Sequence, residues 1–280
     1  MDVTSRLFAQ KLSEHLNQQV VVENRPGAGG AVAGDLVAKA PGDGYTLLTA
    51  SIGYAVIPTS HKYLPYDPLR DLTPVGVMVN VSNMLVVHPS LPVKSVKELI
   101  AFAKAHPGAL SYSSGGNGAS AHLMLEAFKL ATGTDMLHVP YKGTGPGIVD
   151  LLAGRISLTT TGIPSALEYI KQGKLRALAT PGTKRSPALP DLPTIAEAGV
   201  PGYGVDNWYA AFAPAATPQA VLTQLNGEVI KIFHAPDLKE RLLALGLEPA
   251  GESLPATNAY VKSEIARWAK VVKAAKIVVE

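Results

Sequence analysis

The chain has 280 residues, 47% of them hydrophobic and 17% charged, with a net charge of +3 and no cysteine. That length allows two domains with a core in each, and the balance is too apolar for a disordered chain. Disulfides, thiolate catalysis and Cys-based zinc sites are excluded; no basic run interleaved with aromatics suits nucleic acid, and no apolar stretch approaches the ~18 residues of a membrane span, so stable membrane insertion is not expected.

Apolar residues at Val3, Leu7, Phe8, Leu12 and Leu16 form one stripe of an amphipathic helix, with Asp2 as its N-cap. Residues 19–23 read as a short buried strand, 24–30 as a turn, 31–40 as a small-residue helix and 45–50 as a strand. Strand, Gly-rich turn, helix, strand is a βαβ unit and implies a parallel sheet. In such a sheet the first helix follows a strand, so the opening helix predicts that the strand before it is missing. Read literally, Met1 followed by Asp2 and a helical pattern carries no signal peptide and reads as cytoplasmic.

The apolar run at 80–88 is long enough to cross between two lobes, and a helix over 96–105 follows. A second βα series then begins: strand 110–113, Gly/Ser-rich turn 114–118, and helix 119–132 with Leu123, Ala127, Phe128 and Leu130 available to the core. Strand 136–140, turn 142–147, helix 148–152, strand 157–161, helix 164–172 and strand 175–180 continue it. A Pro-rich excursion around a short helix spans 187–201. The run 206–213 crosses back, and helices follow at 218–235, 237–245 and 255–277, with Gly246 as a C′ glycine. These elements predict an α/β protein with lobe one at 1–82 plus 212–280, an inserted lobe two at 83–211 and a hinge between them.

Most chemical motifs fail on inspection. Gly27-Ala-Gly29-Gly30-Ala31-Val32 departs from the dinucleotide fingerprint at Val32, and the last glycine of Gly143-Thr-Gly-Pro-Gly147 comes one residue early. No phosphate-binding P-loop pattern exists. Gly118-Ala-Ser-Ala-His122 resembles a nucleophile elbow until His122 stands where glycine is needed. His122 shares a helix with Ser120, where a solvated or capping side chain is expected. No metal-ligand spacing, carboxylate pair or catalytic base with a placed partner is visible, so no catalytic residue, metal or cofactor is predicted.

One pattern remains. The turns at 26–31 and 113–120, and a third at 142–147, are Gly/Ser-rich and open helices after strands. A helix start offers unpaired N–H groups and partial positive charge, which stabilise an anion without Lys or Arg. The residues leave a second reading open, in which these glycines only shape tight turns.

The stretches Val20-Val-Val-Glu-Asn-Arg-Pro-Gly-Ala-Gly-Gly30 and Val37-Ala-Lys-Ala-Pro-Gly-Asp-Gly-Tyr-Thr-Leu-Leu48 resemble the Bug family, the substrate-binding receptors of tripartite tricarboxylate transporters. Further matches are residues 66–75, Leu110-Ser-Tyr-Ser-Ser-Gly-Gly-Asn-Gly-Ala-Ser-Ala-His-Leu123, His138-Val-Pro-Tyr-Lys-Gly143, residues 207–214 and residues 264–270, so the resemblance covers essentially the whole chain. It implies a type II periplasmic-binding-protein fold and an exported periplasmic receptor. The receptor binds a di- or tricarboxylate, an acidic amino acid or an aromatic acid in the cleft between its lobes, without a cofactor. It hands that ligand to the membrane components of a separate transporter. A monomer that does no chemistry is expected. Such receptors begin with an export signal and a first strand ending in a ligand-contacting loop, of which only Asp2 is expected to remain here, through a misassigned start or a truncation.

The expected ligand-binding residues are Ser113, Ser114, Gly115, Gly116, Asn117, Gly118, Ala119 and Ser120 at one helix start, with Thr144 on the neighbouring turn. Ser51 and the Gly29–Gly30 backbone are expected from lobe one. Asp206, beside Asn207, suits a ligand ammonium group and equally a hinge hydrogen bond. Two alternatives stand beside the receptor: an α/β cleft enzyme acting on a carboxylate, and a truncated remnant that folds without binding.

Overall fold

The computed structural model describes residues 1–25 and 27–279. The chain opens with α1 (Asp2–Leu16), α2 (Ala31–Ala38), β1 (Leu48–Ser51), α3 (Ile57–Ser60) and β2 (Leu72–Val81). It continues with β3 (Asn83–Val87), α4 (Val96–Ala105), β4 (Ser111–Ser114), α5 (Ser120–Thr132), β5 (Leu137–Pro140), α6 (Thr144–Leu152), β6 (Leu158–Gly162), α7 (Ile163–Lys171) and β7 (Arg176–Ala179). It closes with β8 (Asn207–Pro214), α8 (Gln219–Phe233), α9 (Lys239–Ala244), β9 (Leu247–Pro249) and α10 (Leu254–Ala275).

These elements form two compact units. Unit 1 comprises Met1–Asn80, Trp208–Leu242 and Glu248–Glu280; unit 2 comprises Val81–Asn207 and Leu243–Leu247. The return of Leu243–Leu247 to unit 2 has no counterpart in the sequence pattern.

Unit 1 holds a four-stranded sheet in the order β1-β8-β2-β9, with β1 antiparallel to β8 and Ser51 opposite Tyr209. Helix α1 buries Leu7, Phe8 and Leu12 and packs on α8, where Phe8 stacks on Phe233 at 5.9 Å; Val3, on the same expected stripe, is exposed. The segment 19–23 is not a strand. No strand among the described residues pairs with it, and Val21 is 76% exposed. Three consecutive valines favour an extended backbone, but a strand needs a neighbour for its N–H and C=O groups. The parallel βαβ unit expected there is therefore absent. Asp2 is the first helical residue rather than the N-cap, and its carboxylate accepts from Arg6 Nε and Asn24 Nδ2. Of the expected turn at 24–30, Pro26 lies outside the described residues.

Unit 2 holds a five-stranded sheet in the order β5-β4-β6-β3-β7. Strand β4 is parallel to β5 and β6, while β3 is antiparallel to both β6 and β7. Strands β4, β5, β6 and β7 therefore all point the same way. The helices that follow the first three, α5, α6 and α7, consequently start along one edge of the sheet, at the carboxyl ends of the strands. Met84 and Val86 of β3 pack with Ile148, Leu151, Ile163 and Ala166 of α6 and α7. Leu85 and Val87 alternate with them and are also fully buried, so helices cover both faces. Among the expected core residues of α5, Leu123 and Phe128 are buried, whereas Leu130 is exposed. Helix α6 begins at Thr144, four residues before its expected start at Ile148, because the Gly-Pro-Gly segment forms a first helical turn. The short helix expected within 187–201 is a series of turns. Gly246 takes the expected left-handed conformation (φ 64°) after α9.

Candidate functional site

The β4–α5 connection is built by two left-handed glycines, Gly116 (φ 127°) and Gly118 (φ 75°), which turn the chain sharply between strand and helix. Ala119 occupies the N-cap position of α5 and no side chain caps the helix. Leu123 N–H donates back to the Ala119 carbonyl, but the N–H groups of Ser120, Ala121 and His122 have no acceptor among the described residues. Polar donors left unpaired beside buried positions are costly without a partner. The β5–α6 turn is tied to this one by Gly143 N–H donating to the Gly115 carbonyl (3.2 Å) and Tyr141 N–H to the Ser114 carbonyl (3.0 Å). Helix α6 also lacks a side-chain cap, and its first residue, Thr144, is exposed beside that link.

The expected site residues fall into distinct roles. Gly115 to Ser120 form the turn itself, with Asn117 exposed. Ser113 is buried on the α6 face, where Gly147 leaves room for it: a Cβ on Gly147 would come within 3.0 Å of the Ser113 side chain. Ser114, only 3% exposed, holds the turn from beneath; its Oγ takes the Gly116 N–H (3.1 Å) and lies 2.9 Å from the Gly116 carbonyl and 2.6 Å from His138 Nε2. Asp206 is occupied within unit 2, accepting from Thr183 N–H (2.8 Å) and Thr183 Oγ1 (2.8 Å). Asn207 Nδ2 meets the Asn83 side-chain amide at 3.2 Å, and Asn207 Oδ1 is buried without a partner. In unit 1, Ser51 caps the short 3-10 turn Ile52–Val56 by accepting from Gly53 N–H (3.4 Å). Gly29 (φ 61°) and Gly30 (φ 105°) precede α2 in another left-handed turn.

Sequence reasoning missed a group beneath the β4–α5 turn. In the parallel register Tyr112 lies opposite His138, and Ser114 is two residues further along the same face. The His138 ring stacks on Tyr112 (4.9 Å) and on His122 of α5 (4.0 Å, 7° between planes). His122 is buried rather than solvated, and its Nδ1 accepts the Gly118 N–H (3.1 Å), so it does cap the turn. Tyr112 Oη and Lys129 Nζ both donate to Glu126 Oε1, at 2.6 and 2.7 Å. Burial lowers the pKa of both histidines, His138 to about 4 with a further contribution from His122. Burial and the bond to Glu126 raise that of the Tyr112 phenol. Among the described residues no three His, Asp or Glu side chains gather to hold an ion.

Residues 4–277 match the family model described as the tripartite tricarboxylate transporter family receptor. Protein BugT of Bordetella pertussis is 38% identical over 278 residues, covering 97% of this chain and 84% of BugT. The solved structure of R. palustris Rpa4515 with adipate is 41% identical, with a TM-score of 0.92 over 99% of this chain and 93% of that one. MatC (Rpa3494) from Rhodopseudomonas palustris, with bound malate, is 30% identical, with a TM-score of 0.87 over 97% and 94%. The α/β fold with two sheets is thus that of the periplasmic binding proteins, and the chain belongs to the Bug-type receptor family of the tripartite tricarboxylate transporters.

Proposed function

We propose that this protein binds a small carboxylate at the β4–α5 turn, in the periplasm, and delivers it as a monomer to the membrane components of a tripartite transporter. The observation that carries this reading is the start of α5. Among the described residues three consecutive N–H groups lack acceptors, the N-cap is an alanine, and two left-handed glycines form the turn before them. A carboxylate meets those donors and the positive end of the helix without any cationic side chain. The adipate and malate held by two relatives fit the same chemical class. Gly143 and Thr144, tied to this turn, would flank the ligand. Ser51, Gly29 and Gly30 are carried as separate candidates in unit 1. Among the described residues no helix is long and apolar enough to cross a membrane.

A thermal-shift and calorimetric screen against mono-, di- and tricarboxylates tests the reading. A ligand at ~100 times its Kd adds about 2.7 kcal/mol of stability. No shift across the panel would sink it. The 2.6 Å contact between Ser114 Oγ and His138 Nε2 favours a second reading, a hydrolase with a Ser–His pair. Against it, Ser114 is buried and its hydroxyl is committed to Gly116. Ester hydrolysis abolished by Ser114→Ala would favour the hydrolase.

A further inference from the structure

Two histidines on different elements spend polar atoms on one short turn. Gly118 N–H donates to His122 Nδ1, and a backbone amide can only donate. His122 Nδ1 is therefore unprotonated and a neutral ring carries its proton on Nε2. Ser114 Oγ has one proton and three close partners. All three contacts are satisfied together in one arrangement: Gly116 N–H and His138 Nε2–H donate to Oγ, and Oγ–H donates to the Gly116 carbonyl. The opposite tautomer of His138 would take the hydroxyl proton and leave Ser114 Oγ facing the Gly116 oxygen at 2.9 Å with no hydrogen between them.

Charge on either ring is disfavoured by burial and by Lys129, and on His138 by His122 as well, and these outweigh the opposite pull of Glu126. The two rings lie 4.0 Å apart, and Lys129 of α5 adds a cation 5.8 Å from the Tyr112 ring centre. Glu126, the carboxylate beside the stack, is engaged by Tyr112 and Lys129. Burial acts in the same direction on both rings. A proton on His122 Nδ1 would set donor against donor at the Gly118 N–H.

We propose that His122 and His138, both neutral Nε2–H tautomers, are positioning residues for the carboxylate turn: His122 holds Gly118 and His138 holds Ser114, which leaves the three N–H groups of α5 free for the anion. This inference rests on the receptor reading for its ligand but not for its tautomers. Long-range ¹H–¹⁵N spectra of the intact chain at pH 7 should show both rings neutral and protonated at Nε2. An Nδ1–H tautomer or an imidazolium at either position would overturn the proposal. Affinity is measured with malate and adipate. His122→Asn, whose Oδ1 takes the place of Nδ1, should bind within about threefold of the original chain. His122→Phe, which keeps the flat ring but loses the acceptor, should bind about tenfold more weakly, the worth of one hydrogen bond. Equal affinity of the two variants overturns the role of His122. If His122→Phe does not fold by circular dichroism, His138→Gln against His138→Leu makes the same comparison. Should neither acid bind the original chain, the carboxylate reading fails for those ligands while the spectra still decide the tautomers.

Discussion

Replacing Ala119 by aspartate should make the protein more stable and unable to bind its ligand. Ala119 sits at the N-cap of α5 with φ −67° and ψ 158°, the extended conformation that N-cap residues adopt, and no side chain caps the helix. Aspartate fits that backbone and can accept from the N–H of Ala121 or His122. An Ala-to-Asp change at an N-cap is worth about 1 kcal/mol, with a further ~0.3–1 kcal/mol from the helix dipole. The same carboxylate occupies the donors that the ligand needs. At a separation of ~4 Å and an effective dielectric constant of ~20, it also repels a bound anion by about 4 kcal/mol, roughly a thousandfold in Kd. Differential scanning calorimetry of the unliganded protein should show a Tm raised by about 2–4 °C, and titration calorimetry should show no heat with a carboxylate that binds the original chain. A variant that is stabilised and still binds within a few fold would refute this site, because the donors at α5 would then not be the anion's partners. A variant that is destabilised would refute the claim that α5 is uncapped.

Acid should weaken the fold through the histidine stack. The folded-state pKa of His138 lies near 4, below the ordinary value of 6.5, so the unfolded chain takes up the proton first. Its stabilising contribution is complete above pH 6.5, declines as the pH falls from 6.5 to 4 and is gone below that. Tm values measured from pH 7.5 to 4.5 should fall less steeply in His138→Gln; parallel curves would contradict this. Asp206→Ala should cost only about 0.5–1.5 kcal/mol, because Thr183 is exposed and water replaces the carboxylate, without singling out ligands that carry an ammonium group; a selective loss of amino-acid binding would place Asp206 on the ligand instead. Phe128 is fully buried with its ring edge-on to Tyr203 at 6.2 Å, so Phe128→Ala should lower unfolding free energy by about 3–5 kcal/mol. Denaturant titration giving less than about 1 kcal/mol would show that the surrounding side chains collapse into the space.

What the sequence discloses depends on how local the cause is. Helix α4 is legible because Ser95 caps it through Glu98 N–H and its apolar residues repeat at helical spacing. The β4–α5 turn is legible because its serines and glycines are contiguous. The start of α6 is not, since Gly145-Pro146-Gly147 reads as a turn although proline is tolerated in a first helical turn. Residues 19–23 mislead because the valines declare an extended backbone but not the partner that would make it a strand. His138 is invisible from the turn it supports: it lies 24 residues from Ser114 and reaches it only through the β4–β5 register.

The division of the chain also imposes an order on its synthesis. Ser51 of β1 finds its neighbour at Tyr209, so the sheet of unit 1 cannot close until the chain has been made past β8. Unit 2, continuous from Val81 to Asn207 with only the five residues 243–247 added later, has its whole five-stranded sheet available by then. The helix starts of unit 2 can therefore be in place while the first eighty residues still await their partners. Those early residues, with Leu7, Phe8 and Leu12 destined for burial against α8, stay exposed to self-association for most of translation.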